Sequence, residues 1–565
     1  MNESTVPADG RSTATARGLS GIRVLEIGEM VSAPYATKLL ADMGADVIKV
    51  EPSHGDRART RGPFRDPDPN HRPRTIFDES EHERIAVPFD PDASGLYLAL
   101  NTNKRNVVAD ANGPGRETVA RLVAETDIIV TNLSPRRLAE LGLDLEQARQ
   151  DRPELVACSI TAFGLTGPYA SYRAEEITVA NAGGWAYQTP GASSDVDLPP
   201  LKVFGHQTEF HAGMAAAMVT LAAFDRAERS GVGDLIDFSS MAHTAGMLEA
   251  ALIAASYMDA DPSRLGSRLL NPWKIFECGS EPQIFRDRPK TRFEDLVFLV
   301  TVEQDQWERL VAFMGNPEWA TTGLFDTVEL RLENEDLLVL YVEEWTRQHS
   351  VSELWHRGQE NRICFAPVLT MAAMEHQEHL RERGFFVDVD HPVAGRITHL
   401  GPPVLTTPNL WGPLRPAPNL DAMAKPEFGP PRSSVDDGGS EAPIEERQPA
   451  PERPLEGIRI LDFSWVWAGP YCTMHLAHLG AEVIKVEAAS RPGLGRRLPL
   501  HPVRVAPSLN TSAYFNQWEQ GKLSCQLDLA KPEAIELVRQ LIPHCDVVVE
   551  NFATGVMEKL GLGYD

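Results

Sequence analysis

"GADVIKVEP" at residues 44–52 and "GAEVIKVEA" at residues 480–488 are nearly the same nine words. Each closes a longer phrase: "GIRVLEIGEMVSAPYATKLLADMGADVIKVEP" from Gly21 and "GIRILDFSWVWAGPYCTMHLAHLGAEVIKVEA" from Gly457. In both, a short apolar run predicts a buried parallel strand, because such strands are covered on both faces. Pro34 and Pro470 then suit the first turn of a helix, where a backbone N–H has no partner to lose. A second apolar run returns as the next strand and completes a βαβ unit. The chain therefore carries an internal repeat.

After the first phrase come "RNVVADA", a helix near "GRETVARLVAET", and the strands "DIIVTNLS" and "LVACSITAFG". A long small-residue helix, "HAGMAAAMVTLAAFDRAERSG", leads to the strand "DLIDFSS". This alternation predicts a doubly wound α/β fold. The texture changes between about residues 287 and 400, where "LVFLVTVEQDQWERLVAFMG" and "GFFVDVDHPVAGRITHLGPPV" suggest a smaller α+β domain. The expected division is a floppy tail over 1–18, a large domain over 19–250, and a linker helix with a small domain over 251–410. Residues 411–454, rich in Pro, Gly and acids, read as a linker. Residues 455–565 read as the opening part of a second large domain. That copy has no counterpart here to the first copy's later strands, so the expectation is that a continuing polypeptide or a partner covers its apolar edge.

At 565 residues the chain has room for three or four domains. A formal charge of −26 argues against nucleic acid, which needs clustered Lys and Arg. It leaves open an anionic small molecule held by local donors and helix N-termini. The six cysteines are scattered with no CxxC pair, which fits reduced thiols of a cytoplasm better than disulfides or zinc. No apolar stretch reaches the length of a membrane span, and the first residues lack the apolar core of a secretory signal. A strand ending in Glu51 invites a dinucleotide reading, but "IGEMVSAPY" and "FSWVWAGPY" lack the GxGxxG that lets a pyrophosphate approach the backbone.

In these phrases the chain resembles the class III CoA-transferase family, which includes formyl-CoA transferase, carnitine CoA-transferase and α-methylacyl-CoA racemase. The opening phrase, "LNTNKRNV", "TDIIVTNLSP", "SITAFGLTGPYA" and "PVLTMAAMEHQEHLRERGFFVDVDHPVAGRITHLGPPV" match its habits in order. The resemblance implies a Rossmann-like large domain, a small domain and two interlocked chains. Here a tandem fusion would make that pairing an intramolecular pseudo-dimer and raise the effective concentration of the halves; a homo-oligomer is the other arrangement. It also implies transfer of coenzyme A between an acyl-CoA and a carboxylic acid, with coenzyme A as substrate and no tightly bound cofactor.

The family's nucleophile is an Asp four residues before a Gly that opens a small-residue helix. In "GHQTEFHAGMAAAM" that position is Glu209, counted from Gly213. A Glu reaches about 1.5 Å further than an Asp. Glu176, in "YRAEEITVANAGG", matches the family's second acid, able to shuttle a proton beside another carboxyl. For coenzyme A the resemblance points to the turn residues Val31 and Ser32 before the Pro34 helix, to Asn132 and Leu133 at the end of "DIIVTN", and to Arg173 at a family Lys. Lys104 and Arg105 add nearby positive charge. In the repeat, Asn551, Phe552 and Lys559 take the corresponding places. Two departures stand out: Val31, and Trp467 in the repeat, replace the Gln of formyl-CoA transferase, and Glu140 replaces its Arg, where the repeat has Lys559.

Three other readings compete. Glu209 could be a helix-terminal acid favoured by the macrodipole in a non-catalytic CoA-binding or scaffolding subunit. A racemase needs a His before "SITAFGLTGP", and the nearest, His82, lies far upstream. His206 and His211 fall about 140° apart on a helix, not on one face as a metal pair requires, so they read as packing or loop residues and no metal is expected.

Overall fold

The computed structural model describes residues 18–64, 90–189, 199–249, 251–258, 271–279, 292–412, 414–420, 427–432 and 451–564. Nearly all of the expected tail and most of the expected linker lie outside these residues.

Six parallel strands form the first sheet: β1 (Arg23–Ile27), β2 (Asp46–Glu51), β3 (Arg105–Val108), β4 (Ile128–Thr131), β5 (Val156–Thr161) and β6 (Leu235–Ser239). Their order is β3-β2-β1-β4-β5-β6. Alternation along each strand covers both faces. Val24, Val47, Val130 and Cys158 pack with Ala36, Leu40, Ala212 and Ala216 of helices Ser32–Asp42 and Gln207–Ser230. Leu25, Ile48, Ile129 and Ala157 pack on the other side with Val119 and Leu122 of helix Gly113–Glu125. Strand order reverses between β1 and β4, which opens a crevice at their carboxyl ends.

A smaller antiparallel sheet follows, β7 (Trp273–Glu277), β8 (Leu296–Val300) and β9 (Cys364–Pro367), with its core around Phe276, Trp307, Phe325 and Phe365. Strands β10 (Phe386–His391) and β11 (Gly395–Leu400) pair as a hairpin. Residues 414–420 and 427–432, read from composition as linker, instead lie as a strap on the first sheet. Arg105 donates to the Glu427 carbonyl (2.8 Å), the Gly429 N–H to Asp46 (2.7 Å), and the Arg432 N–H to the Gly21 carbonyl (2.9 Å). A proline-rich segment has few N–H groups to place, so side chains of the sheet edge can complete its hydrogen bonding.

The second sheet comprises β12 (Arg459–Asp462), β13 (Glu482–Glu487), β14 (Leu523–Gln526) and β15 (Val547–Val549) in the order β14-β13-β12-β15, the order of β3-β2-β1-β4. All its pairings are parallel. It packs on the first copy through Ala254, Leu494, Leu498, Tyr514 and Trp518, and through an ion pair between Arg497 and Glu303 (2.5 Å).

A buried ion cluster ties the first sheet to the helix that starts its crevice. Glu26, next to the carboxyl end of β1, accepts from Thr37 Oγ1 (2.6 Å), Lys49 Nζ (2.6 Å) and Lys104 Nζ (2.8 Å). Lys104 also donates to the Pro34 carbonyl (2.7 Å) and Asn101 Oδ1 (2.9 Å). Lys104 therefore points inward, and its expected role as a charge near a ligand is withdrawn. Burial pushes its amine down to about 8, against the pull of Glu26. Glu51 is similarly spent: Arg59 forks onto both of its oxygens (2.7 and 2.9 Å) and Tyr97 Oη donates to it (2.8 Å). Burial opposes its ionisation, yet Arg59 and Lys49 hold it down at about 2. An acid so occupied has no lone pair left for a ribose, which gives the missing GxGxxG a structural counterpart.

Glu26→Leu removes the carboxylate that Lys104 is paired with. The expected loss is about 3–5 kcal/mol, the cost of an uncompensated buried charge, read from chemical denaturation against the parent chain.

Candidate active site

The loop leaving β1 is held from the end of β4. Asn132 Oδ1 accepts the Glu29 N–H (2.9 Å), while its Nδ2 donates to the Glu29 carbonyl (2.7 Å) and to Ser32 Oγ (3.0 Å). Next in the loop, Met30 takes φ 62°, a left-handed conformation costing a residue with a side chain about 1–2 kcal/mol. Asp56 offsets this by accepting the Met30 N–H (2.9 Å), and Lys49 in turn pairs with Asp56 (2.8 Å). Helix Ser32–Asp42 starts directly after it, with a first turn whose N–H groups no earlier turn satisfies.

Gly213 places the second helix. A Cβ there would stand 2.5 Å from the Ser32 carbonyl oxygen, so only glycine lets helix Gln207–Ser230 cross the start of helix Ser32–Asp42 in contact. One turn earlier sits Glu209, beside Phe210, whose ring meets Tyr35 edge-on at 4.9 Å. Glu209 Oε2 lies 2.8 Å from His206 Nδ1. The Glu209 side chain is 24% exposed, so it is set in a wall and not in solid filling.

Glu176 is the first residue of helix Glu176–Ala182 and is buried. Its Oε1 accepts from Thr208 Oγ1 (3.0 Å) and its Oε2 from Lys202 Nζ (2.7 Å). Thr208 directly precedes Glu209, so the two acids named from sequence meet at one helix start. The imidazole of His206 is raised above its ordinary range by the bond to Glu209, with burial opposing and Glu176 assisting. His206 and Lys202 are the members that sequence reasoning missed. The i, i+3 spacing of His206 and Glu209 on a helix was the available signal.

The remaining expected contacts divide. Ser32 and Asn132 lie at the crevice, bonded to each other. Val31 and Leu133 turn their side chains into the core, against Tyr97 and Leu98 and against Leu138 respectively, so only their backbone can serve a ligand. Arg173 is exposed on the loop before Glu176. Arg105 opens β3 and bonds Asp46 and the strap, at the end of the sheet opposite the crevice; it is withdrawn from the ligand contacts.

In the second copy Asn551 repeats the clamp of Asn132: Oδ1 accepts the Trp465 N–H (2.7 Å) and Nδ2 donates to the Trp465 carbonyl (2.8 Å). There a cavity of about 570 Å³ is lined by Trp465, Lys485, Arg491, Asn551, Phe552 and Val556. Lys559 is exposed on the short helix Val556–Lys559 beside it. In the first copy Glu29 stands in the place of Trp465 and pairs with Arg137 (2.7 Å) and Arg57 (3.4 Å). No helix among the described residues is long and apolar enough to cross a membrane.

Comparison with known proteins places relatives along most of the chain. The family described as CoA-transferase family III matches residues 19–423 and 455–565. A succinate–glutarate CoA-transferase of Agrobacterium fabrum is 27% identical over 71% of this chain and 92% of its own length. A formyl-CoA:oxalate CoA-transferase of Bradyrhizobium diazoefficiens is 28% identical over 69% of this chain and 87% of its own. The crystal structure of a CAIB/BAIF family protein from Brucella suis is 25% identical and superposes with a TM-score of 0.58, covering 72% of this chain and 97% of that one.

Gly213→Ala should push the two helices apart and displace Glu209. A shift of about 1 Å at a reacting group costs roughly 100-fold, so the rate of coenzyme A transfer should fall by about that factor, measured beside a thermal melt that registers only the packing loss.

Proposed function

The chain belongs to CoA-transferase family III, and from that premise we propose that Glu209 is the carboxylate through which it passes coenzyme A between an acyl-CoA and a carboxylic acid. A carboxylate oxygen of Glu209 attacks the thioester carbonyl and the coenzyme A thiolate leaves with the C–S electron pair, giving a mixed anhydride. The thiolate then attacks the glutamyl carbonyl, releasing the first acid and leaving a glutamyl–CoA thioester. The acceptor carboxylate attacks that thioester, the thiolate returns to the new acyl group, and Glu209 is regenerated. A carboxylate suits this cycle because it is both nucleophile and leaving group, whereas an alkoxide leaves poorly.

The observation that carries the reading is the position of Glu209: partly exposed, in the first turn of a long helix, one residue from the Thr208 that binds Glu176. Glu176 is the group placed to exchange protons with the incoming or departing acid. Ser32 and Asn132, with the backbone of Val31 and Leu133, serve as coenzyme contacts in the first crevice, and Arg173 on the loop before Glu176 supplies a positive charge for phosphate. Asn551, Phe552 and Lys559 do the same beside the open cavity of the second copy, where Lys559 can face a phosphate. The contacts of Trp467 and Arg497 with the first copy support an intramolecular pairing of the halves. The six cysteines are not joined in disulfides, in keeping with a reduced, cytoplasmic setting.

Incubating the protein with a panel of acyl-CoAs and digesting it for mass spectrometry tests this directly. The expected result is coenzyme A added to the peptide bearing Glu209, absent from Glu209→Gln, with transfer reduced by about 1,000-fold or more. Transfer at the parental rate in Glu209→Gln would put the nucleophile at another residue, and neither adduct nor transfer in the parent protein would leave the scaffolding reading in its place.

A further inference from the structure

The nucleophile differs from the family's aspartate by one methylene, and an extra rotatable bond has to be fixed before a carboxylate can attack in line. Holding such a side chain in one rotamer costs conformational entropy that a fixed partner can offset. His206 is the residue that does so. Its Nδ1 sits 2.8 Å from Glu209 Oε2, across one turn of the same helix start. The bond engages one oxygen and leaves Oε1 without that partner.

The groups around His206 fix its role. Glu209 faces it from its own helix, Glu176 from helix Glu176–Ala182, and Lys202 from the segment leading into His206. Lys202 is already committed: its Nζ donates to Glu176 Oε2 (2.7 Å) and to the carbonyls of Val203 (2.8 Å) and Gly205. That arrangement pins Glu176 and the backbone just before His206, and it leaves the imidazole as the group paired with Glu209. His206 is 35% exposed in its side chain, so it is reached by protons from solvent while its ring stays bonded.

We propose that His206 is the positioning residue of Glu209, holding Oε2 so that Oε1 is presented to the thioester carbonyl and taking back the carboxylate charge when the acyl group leaves. The inference rests on Glu209 being the nucleophile. While the anhydride or thioester exists, the Glu209 carboxyl is neutral and the imidazolium stands opposite Glu176. When the returning thiolate attacks the acceptor's acyl carbon and the bond from that carbon to the Glu209 oxygen breaks, the carboxylate re-forms and the ion pair with it, and no proton need be gained or lost.

The pH dependence has a definite sign. The bond to Glu209 raises the imidazole above its ordinary value, so the ion pair is complete below that raised value and disappears as pH climbs through it. Adduct formation should therefore decline on the alkaline side, with its midpoint at the titration of His206.

Single-turnover formation of the coenzyme A adduct at residue 209, followed by mass spectrometry from pH 5.5 to 9, tests the inference alongside an NMR titration of the His206 ring. His206→Ala should slow the adduct by roughly 10- to 100-fold. His206→Gln, which keeps a donor without the charge, should recover part of the rate, and the alkaline decline should vanish from both. In the Glu209→Asp background, where the carboxylate ends about 1.5 Å short of the ring, His206→Ala should change the rate by less than about twofold, as expected when the coupling partner is already gone. The His206 titration should fall toward its ordinary value in Glu209→Gln. An adduct formed by His206→Ala at the parental rate, or with the alkaline decline intact, overturns the inference and leaves Glu209 as nucleophile. No adduct in the parent protein overturns the nucleophile, and this inference with it.

Discussion

Everything in the crevice depends on a carboxylate buried under the first strand. Glu26 draws Lys49 from β2, Lys104 from the approach to β3 and Thr37 from the crossing helix onto one point. Lys49 also reaches the Gly28 carbonyl (2.8 Å) and Lys104 the Pro34 carbonyl (2.7 Å), so the cluster fixes both ends of the turn that shapes the site. The second copy rebuilds the arrangement with one methylene less. Asp462 binds Thr473 (2.6 Å) and Lys522 (3.3 Å), Lys485 bonds the Ser464 carbonyl, and Lys522 bonds the Pro470 carbonyl (2.9 Å). Buried ions are poor sources of net stability, and their better-attested use is to specify one arrangement among several. Here that arrangement is a strand, a left-handed turn residue and a helix start in fixed register.

On that shared frame the two crevices diverge in charge. The first holds Glu29 between Arg137 and Arg57, with Arg57 reaching on to Glu175 (3.2 Å), so its cations already have a counter-ion. An anion entering there must displace Glu29 or add to the set. The second replaces Glu29 by Trp465, under the guanidinium of Arg491 (5.0 Å to the ring), and keeps its cavity open. The first copy carries the helix with the candidate nucleophile, and the second presents an apolar recess. Neither charge pattern follows from the overall charge of −26, which describes the far field and not the site.

Much of this was legible in sequence because it rests on periodicity and spacing. Apolar runs gave β1, β2, β4 and β5, and Pro34 marked its helix; Glu209 came from the family resemblance, whose pattern sets an acid four residues before the Gly that is Gly213 here. What failed were judgements about where side chains point. "NTNKRNV" shows two adjacent cations, and both looked available; only the fold reveals that Lys104 faces a buried acid and Arg105 faces the opposite end of the sheet. Val31 follows a residue with positive φ, and that twist sends its side chain into the core beside Tyr97. The strap was missed for a different reason. Its contacts join residues more than 300 positions apart, and a Pro- and Gly-rich composition does not distinguish a free linker from one laid along a sheet edge.

The turn of the second copy shows how one backbone can be turned to another use. Val466 occupies the left-handed position of Met30, with φ 71°, although a β-branched residue tolerates it poorly. Such strain, of order 1–3 kcal/mol, persists only where neighbours over-determine the conformation. The neighbour is Trp467, one residue on, whose Nε1 donates to Glu249 (3.0 Å) and whose ring meets Trp273 of the small sheet at 6.2 Å and Trp518 at 5.4 Å. The side chain that follows the turn is thus anchored in the first large domain, in the small sheet and in its own copy at once. A turn that in the first copy borders a crevice serves in the second as a docking wedge. A Gln or Val in that place lacks the ring that meets Trp273 and Trp518. The large aromatic therefore accounts for the strain before it, and it joins the second sheet to the first copy.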